Sequence, residues 1–200
     1  HNYAEYSTDY SAGTSAWDFE LTQFNNITQT TGQADPDGGT DATLLVLNNG
    51  VSANGSYLRQ NISELAVTTP MTIAGFFKAD GLDHVIMTVG NFGPGYFAIF
   101  DLVNGTVSQA PTEPNTTAEI ESAGNGWYLC KIRSTTGHSA FHIFGPCADA
   151  TDRTVNGNGV DGILAYGAHS YRSDLGGMVN NPDRTDSYVP TTASAVYLPR

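Results

Sequence analysis

The chain has 200 residues, of which 40% are hydrophobic and only 14% are charged. Its 8 basic and 20 acidic residues give a net charge of −12, which repels phosphate backbones and anionic lipid, so we expect no nucleic-acid and no membrane partner. Glycine is abundant, with 22 residues, while lysine occurs only at Lys78 and Lys131. This composition excludes a protein built from long helices and predicts an all-β one.

Short apolar runs recur along the chain, separated by glycine, asparagine, proline and aspartate, as is typical of a sandwich or barrel. In chain order, the predicted strands are residues 17–21, 42–47, 57–62, 71–78, 84–89, 96–102, 106–108, 118–121, 127–134, 141–144 and 162–168. They predict a jelly-roll β-sandwich of two antiparallel sheets over residues 1–170. Residues 171–200 lose the alternation, and we expect a loop and an extended C-terminal tail there.

Two glycine-containing turns mark hairpins between predicted strands. Asn104-Gly105 is the preferred dipeptide for a tight two-residue turn, and it predicts that the strands on either side pair directly. Gly124-Asn125-Gly126 indicates a second hairpin, which joins residues 118–121 to residues 127–134.

Cys130 and Cys147 are too few for a disulfide framework, although they leave one bridge open. Both lie in or beside apolar runs, which favours two buried thiols. The segment of residues 35–41 holds three aspartates and two glycines, so a turn and a calcium site are both open. The sequence favours the turn, and we predict neither a metal nor a cofactor.

Glu119 and Glu121 are the most tempting catalytic pair. At i and i+2 on a strand, they point to the same face, at a spacing found between the carboxylates of glycosidases. The alternative is an exposed strand face with Ile120 turned to the core, and the sequence favours this alternative. Because no nucleophile elbow, zinc motif or phosphate loop is present either, we predict that the protein is not an enzyme.

Aromatic side chains beside polar ones suggest a glycan site, since a sugar ring stacks on an aromatic face while its hydroxyls form hydrogen bonds. Trp17 and Trp127 each begin a predicted strand and are better candidates for core anchors. The candidate ligand-binding residues are therefore Tyr57, Arg59, Asn91, Phe92, Tyr96 and Tyr166.

Three stretches resemble one family. Gly124-Asn125-Gly126-Trp127-Tyr128-Leu129-Cys130 is similar to the "Gly-Asn/Asp-Gly-Trp-Tyr-Arg-Cys" hairpin of a module widespread in bacteriophage tail-fibre and other virion proteins. Ser187-Tyr188-Val189-Pro190-Thr191-Thr192-Ala193-Ser194-Ala195-Val196 is similar to its "Ser-Tyr-Ile-Pro-Thr-Thr-x-Ser-Ala-Val" ending. Asn2-Tyr3-Ala4-Glu5-Tyr6-Ser7 looks like its start, and Pro36-Asp37-Gly38 matches its usual turn, which weakens the calcium alternative.

This resemblance implies a concanavalin-A-like or carbohydrate-binding-module-like jelly roll without catalytic residues. It implies display on a virion as a fibre, spike or capsid decoration, with other virion proteins and further copies of the chain as partners, a trimer in the case of a fibre. The chain departs from the pattern at Leu129, where a basic residue is common, and by an insertion over residues 171–184.

Three hypotheses follow for the function. The first is a non-enzymatic structural protein of a bacteriophage virion, exposed on the particle surface and able to attach to a host-surface glycan. The second is a carbohydrate-binding module of a bacterial polysaccharide-degrading enzyme. The third, which the residues favour least, is a glycosidase that uses Glu119 and Glu121.

Overall fold

Twelve β-strands and no helix form the described part of the computed structural model, which comprises residues 2–4, 7–10, 18–19, 26–62, 68–90, 93, 95–135, 141–174 and 190–193. In chain order the strands are β1 (Asp18–Phe19), β2 (Ile27–Gln33), β3 (Ala42–Leu47), β4 (Leu58–Asn61), β5 (Met71–Asp80), β6 (His84–Val89), β7 (Phe97–Asp101), β8 (Thr106–Gln109), β9 (Thr116–Gly124), β10 (Trp127–Ser134), β11 (Phe141–Cys147) and β12 (Gly162–Arg172). Within these ranges no helix is long and apolar enough to cross a membrane.

The strands form two six-stranded sheets. The first sheet has the order β1-β4-β11-β6-β7-β8, and the second has the order β2-β3-β12-β5-β10-β9. Every strand pairing is antiparallel, and the chain passes back and forth between the sheets, as in the steps from β3 to β4, β4 to β5 and β5 to β6. The predicted all-β fold, a two-sheet antiparallel β-sandwich of jelly-roll type, is confirmed.

The main core lies between the two sheets, because apolar side chains alternate along each strand and turn one face inward. Burial of these side chains is the main driving force for folding. The second sheet contributes Leu45, Leu47, Ile73, Phe77 and Ile132, and the first contributes Leu58, Val85, Met87, Phe100 and Phe144.

Strand β2 has no counterpart among the predicted strands. Its sequence, Ile-Thr-Gln-Thr-Thr-Gly-Gln, has one apolar residue, Ile27, which is also its one buried residue. The strand lies at an edge of the second sheet, where its neighbour β3 supplies the pairing and its other residues are exposed or half-buried. An edge strand of this kind leaves little hydrophobic pattern from which to predict it.

One of the two predicted turns has the expected form. The Gly124-Asn125-Gly126 turn joins β9 to β10, and Asn125 adopts a φ of 53°, a left-handed conformation that asparagine tolerates better than most residues. The strands on either side of Asn104-Gly105 pair directly, as predicted, but the turn is longer than two residues, because four residues, 102–105, separate β7 from β8.

The carboxylate of Asp101 is the reason for the longer turn. It accepts hydrogen bonds from the backbone N–H groups of Val103 and Asn104, each at 2.8 Å, and from Asn104 Nδ2 at 2.7 Å. Burial opposes ionisation of Asp101, but these hydrogen bonds outweigh it and lower the pKa of the carboxyl group. Asp101 therefore caps a wider turn in which only Gly105 has a left-handed φ, of 65°.

The two ends of the described chain meet beside β12. Thr191 is buried, its hydroxyl donates to Ala4 O, and its backbone N–H donates to Ser7 Oγ at 2.9 Å. Asn2 Nδ2 donates to the backbone oxygen of Ala168 at 3.0 Å. Among the described motif residues, Asn2, Ser7 and Thr191 are thus structural ones. The division at residue 170 stays a prediction, with β12 itself ending at Arg172.

The two cysteines are buried free thiols, as the apolar runs predicted. The bridge left open between them is contradicted, because Cys130 lies in the core between the sheets and Cys147 lies in a separate cluster on the outer face of the first sheet. Burial raises the pKa of Cys130, and it raises the pKa of Cys147 to about 11, so both thiols stay protonated at neutral pH.

Candidate functional site

The outer face of the first sheet carries a second apolar cluster, formed by Ala53, Ile86, Phe97, Ile99 and Cys147. Two segments, residues 48–57 and 148–161, run together beside it. Backbone hydrogen bonds join them, from Gly157 N to Val51 O at 2.7 Å and from Asn54 N to Arg153 O at 2.9 Å. We call these two segments the cover.

Gly145 on β11 shows how closely the cover approaches the sheet. A Cβ atom at this position would lie 2.9 Å from Ser56 O and 3.2 Å from the Cα atom of Tyr57. Both neighbours are backbone atoms, which cannot move aside as a flexible side chain does. Glycine is therefore required where the cover crosses β11.

A groove with a volume of about 360 Å³ opens where the cover meets the β7–β8 edge of the sheet. This is the lower end of the size range of small-molecule sites. Its lining combines one aromatic ring with hydroxyl, amide, carboxylate and guanidinium groups. We call it the Arg153 groove, and it is lined by Gly95, Phe97, Gln109, Ala110, Thr112, Thr151, Asp152, Arg153 and Thr154.

Arg153 lies over the floor of the groove. The Cζ atom of its guanidinium is 4.7 Å from the centroid of the Phe97 ring, which is a cation–π contact. Burial lowers the pKa of Arg153 from its usual value, yet a guanidinium remains a cation at any physiological pH. Its N–H groups therefore present a fixed set of donors beside an aromatic surface.

Two aspartates hold the loop that carries Arg153. Asp149 Oδ1 accepts hydrogen bonds from the backbone N–H groups of Thr151 and Asp152, each at 2.9 Å. Asp152 Oδ1 accepts from Thr154 Oγ1 at 2.6 Å and from Thr154 N at 2.8 Å. The hydrogen bond from the Thr154 side chain lowers the pKa of Asp152, and the backbone bond from Thr151 lowers that of Asp149, so both carboxylates are ionised at neutral pH.

Gln109, the last residue of β8, contributes an amide to the groove. Its Oε1 atom is buried and has no hydrogen-bond partner among the described residues. A buried acceptor without a donor costs about 1–3 kcal/mol.

The structure describes four of the six predicted ligand-binding residues, and it places Arg59 on the first sheet and Tyr166 on the second. Tyr57 and Tyr166 are buried, and the hydroxyl of Tyr166 donates to Asp37 Oδ2 at 2.9 Å on the second sheet. Arg59 lies over the ring of Phe141, with its Cζ atom 5.0 Å from the centroid. Tyr96 is half-buried between two groove residues, while Asn91 and Phe92 lie outside the described residues. Their part in ligand binding stays a prediction.

Glu119 and Glu121 point to the same face of β9, as predicted, and this face is exposed. Their side chains are 66% and 58% accessible, and both pair with Lys131, whose Nζ atom lies 3.4 Å from Glu119 Oε2 and 2.7 Å from Glu121 Oε1. Ile120 packs against the main core. The exposed-face interpretation is therefore confirmed, and the carboxylates serve an ion-pair cluster.

One serine–histidine pair occurs in the core. His142 Nδ1 is 2.9 Å from Ser170 Oγ, and both residues are fully buried, so no substrate reaches them. Burial lowers the pKa of His142 to about 3, and the nearby His169 acts in the same direction. His142 is thus a neutral core residue that links the two sheets.

The aspartate-rich segment of residues 35–41 has the geometry of a turn. Asp35 Oδ1 accepts hydrogen bonds from Asp37 N at 2.9 Å and Gly39 N at 2.8 Å, and Asp35 Oδ2 accepts from Asp41 N at 3.0 Å. The Asp35 carboxylate, which a calcium ion would need as a ligand, is thus already occupied by three backbone N–H donors. Across the described ranges, no group of three or more histidine, cysteine, aspartate or glutamate side chains is placed to hold a metal ion.

The fold and the groove together define a class: an all-β, two-sheet sandwich with a polar groove on the outer face of one sheet. No protein-family model matches the chain, and no curated protein matches it either. Among solved structures, it is similar to the carbohydrate-binding module TmCBM61 in complex with β-1,4-galactotriose, with 10% sequence identity and a TM-score of 0.44. The similarity covers 86% of this chain and 99% of the other.

Proposed function

We propose that this chain is a non-catalytic module that binds a glycan in the Arg153 groove. The observation that carries the proposal is the lining of the groove, where hydroxyl, amide, carboxylate and guanidinium groups surround one aromatic ring. Sugars present many hydroxyls, each of which both donates and accepts. The unpartnered Oε1 of Gln109 suits a hydroxyl donor, and the guanidinium of Arg153 supplies N–H donors to the lining.

We propose a non-catalytic module because neither of the two residue pairs that suggest catalysis lies in the groove. Glu119 and Glu121 form an ion-pair cluster with Lys131 on an exposed face away from the groove. His142 and Ser170 are enclosed in the core. A glycosidase needs paired carboxylates on either side of a bound sugar, and the described residues of the groove lining supply one carboxylate, that of Asp152.

Replacing Arg153 with alanine is expected to weaken glycan binding at least about tenfold, since a hydrogen bond to a charged group contributes about 1.5–3 kcal/mol. Binding of the full chain on a glycan array, followed by calorimetric titration of the best ligand, measures this loss. Arg59→Ala is the matched control, because Arg59 stacks on Phe141 in the same sheet but does not line the groove.

The control also separates this proposal from the residue set predicted from the sequence. Loss of binding in Arg59→Ala with full binding in Arg153→Ala would move the site to the predicted set around Tyr57 and Arg59. Absence of binding by the unmodified chain to any glycan would refute the proposed function.

Display on the surface of a bacteriophage virion is the setting we propose for this module, as a fibre, spike or capsid decoration with other virion proteins as partners. The support comes from the motifs that carry the resemblance, since Asn2, Ser7 and Thr191 form a buried network and Asn125 forms the β9–β10 turn. A carbohydrate-binding module of a polysaccharide-degrading enzyme is the second setting, in which the groove has the same role.

Oligomeric state distinguishes the two settings. A fibre module is expected to form a homotrimer, because virion appendages assemble by symmetry, whereas an enzyme-borne module acts as a monomer. Light scattering coupled to size-exclusion chromatography, over a wide range of protein concentration, gives the mass in solution. A monomer at the highest concentration would contradict the fibre form of the proposal and favour the second setting.

A further inference from the structure

We infer that the Arg153 groove selects neutral sugars over sugars that carry a carboxylate, an inference that rests on the proposed function. The charged side chains that line the groove are one cation, Arg153, and one anion, Asp152. The charges of Arg153 and Asp152 cancel in the presence of a neutral ligand, whereas an acidic ligand adds a second negative charge to the groove.

Asp152 is the residue that determines this selectivity. Its Oδ1 atom is bonded to Thr154, and its Oδ2 atom has no hydrogen-bond partner among the described residues. A carboxylate only accepts hydrogen bonds when ionised, so a sugar hydroxyl can donate to this exposed oxygen in place of solvent. A uronic acid carboxylate offers no donor at neutral pH and repels the same oxygen.

The surroundings of the groove strengthen the repulsion. Asp149 precedes Asp152 by three residues, and each carboxylate is held ionised by hydrogen bonds from its own loop. The protein as a whole carries a charge of −12, with only eight basic residues. A carboxylate that approaches Arg153 therefore comes close to Asp152 and to a negative surface, and the attraction of one guanidinium is offset.

Arg153 is suited to this role because its guanidinium is stacked on Phe97. A guanidinium that lines the groove offers N–H groups from which neutral hydroxyl and ring oxygens of a sugar can accept. Gln109 and the threonines then add neutral donors and acceptors, which suit a ligand that presents hydroxyls on all sides.

The test compares two oligosaccharides of equal length and linkage, one of neutral hexoses and one of uronic acids, by calorimetric titration of the full chain. The neutral oligosaccharide is expected to bind at least about tenfold more tightly. Its affinity is expected to stay the same between about 0.01 M and about 1 M salt, since screening acts only on charges.

Two variants make the test specific to the groove. Asp152→Asn removes the anion and is expected to narrow the difference between the two oligosaccharides several-fold. Asp41→Asn removes the same charge from the exposed β2–β3 loop and should leave the difference unchanged. Thermal unfolding of both variants confirms that they are folded.

Each outcome decides a separate question. Equal or tighter binding of the acidic oligosaccharide would overturn the selectivity while leaving glycan binding in place, and so would an unchanged difference in Asp152→Asn. Binding of neither class, with any length of oligosaccharide, would overturn the proposed function itself.

Discussion

Replacing Phe144 with alanine is expected to lower the free energy of unfolding by about 3–5 kcal/mol, the cost of removing a large ring from a packed core. Phe144 on β11 is fully buried between the sheets. Its ring centroid lies 5.2 Å from that of Tyr10 and 5.3 Å from that of Phe77, so one ring joins the N-terminal segment to the second sheet. Urea unfolding followed by tryptophan fluorescence measures the loss.

Phe141, three residues earlier on the same strand, provides the control. Its ring is partly exposed under Arg59, so Phe141→Ala is expected to cost about 1 kcal/mol, mainly for the lost cation–π contact. If the two variants lost the same stability, the contacts of Phe144 across the two sheets would not be the ones that hold the sandwich together.

Acid is expected to destabilise the protein well before its carboxylates protonate, and His142 is the cause. The pKa of His142 is about 3 in the folded chain and about 6.5 when unfolded, so below pH 6.5 the unfolded chain binds a proton that the folded chain does not. Stability is therefore complete above pH 6.5 and falls as the pH drops toward 3. At pH 5 the expected loss is about 2 kcal/mol relative to neutral pH.

His142→Gln tests this assignment, since glutamine keeps a polar group beside Ser170 but cannot bind a proton in this range. The difference in urea midpoint between pH 7 and pH 5 is expected to shrink in this variant. His84→Gln is the matched control at a less buried histidine and should keep the wild-type difference. A full pH dependence in His142→Gln would show that other groups cause the acid sensitivity.

Strand positions follow from the sequence wherever an apolar run ends at turn residues. The bounds of β3, β6 and β10 coincide with the predicted runs, because each combines inward apolar side chains with a glycine or asparagine near an end. Strand β2 could not be predicted in this way, because Ile27 is its one apolar residue. Its place in the sheet depends on pairing with β3, which the sequence of β2 alone does not reveal. The longer turn at Asp101 could not be predicted either. The preference of Asn-Gly for two-residue turns takes no account of a capping carboxylate four residues before the glycine.

The candidate site is harder to predict from the sequence, because its residues come from segments that are far apart along the chain. Aromatic residues suggested a glycan site, yet a tyrosine beside a strand is as useful for packing, and Tyr57 and Tyr166 are buried. Gln109 and Arg153 lie 44 residues apart in sequence, and no spacing rule connects them. The one available signal was the run Asp149-Ala150-Thr151-Asp152-Arg153-Thr154, where alternating aspartate and threonine indicate hydrogen-bonded turns around an arginine.

The backbone hydrogen bonds within the cover affect how much conformational entropy is lost when a ligand binds. Arg153 has two separate roles, since its carbonyl oxygen accepts from Asn54 N while its side chain lines the groove. The loop is therefore already fixed before a ligand arrives, and association loses little of the chain's conformational freedom. Thr112 lines the groove from outside the cover, so under the proposed function its exchange is expected to change which sugar binds while the sandwich beneath stays the same.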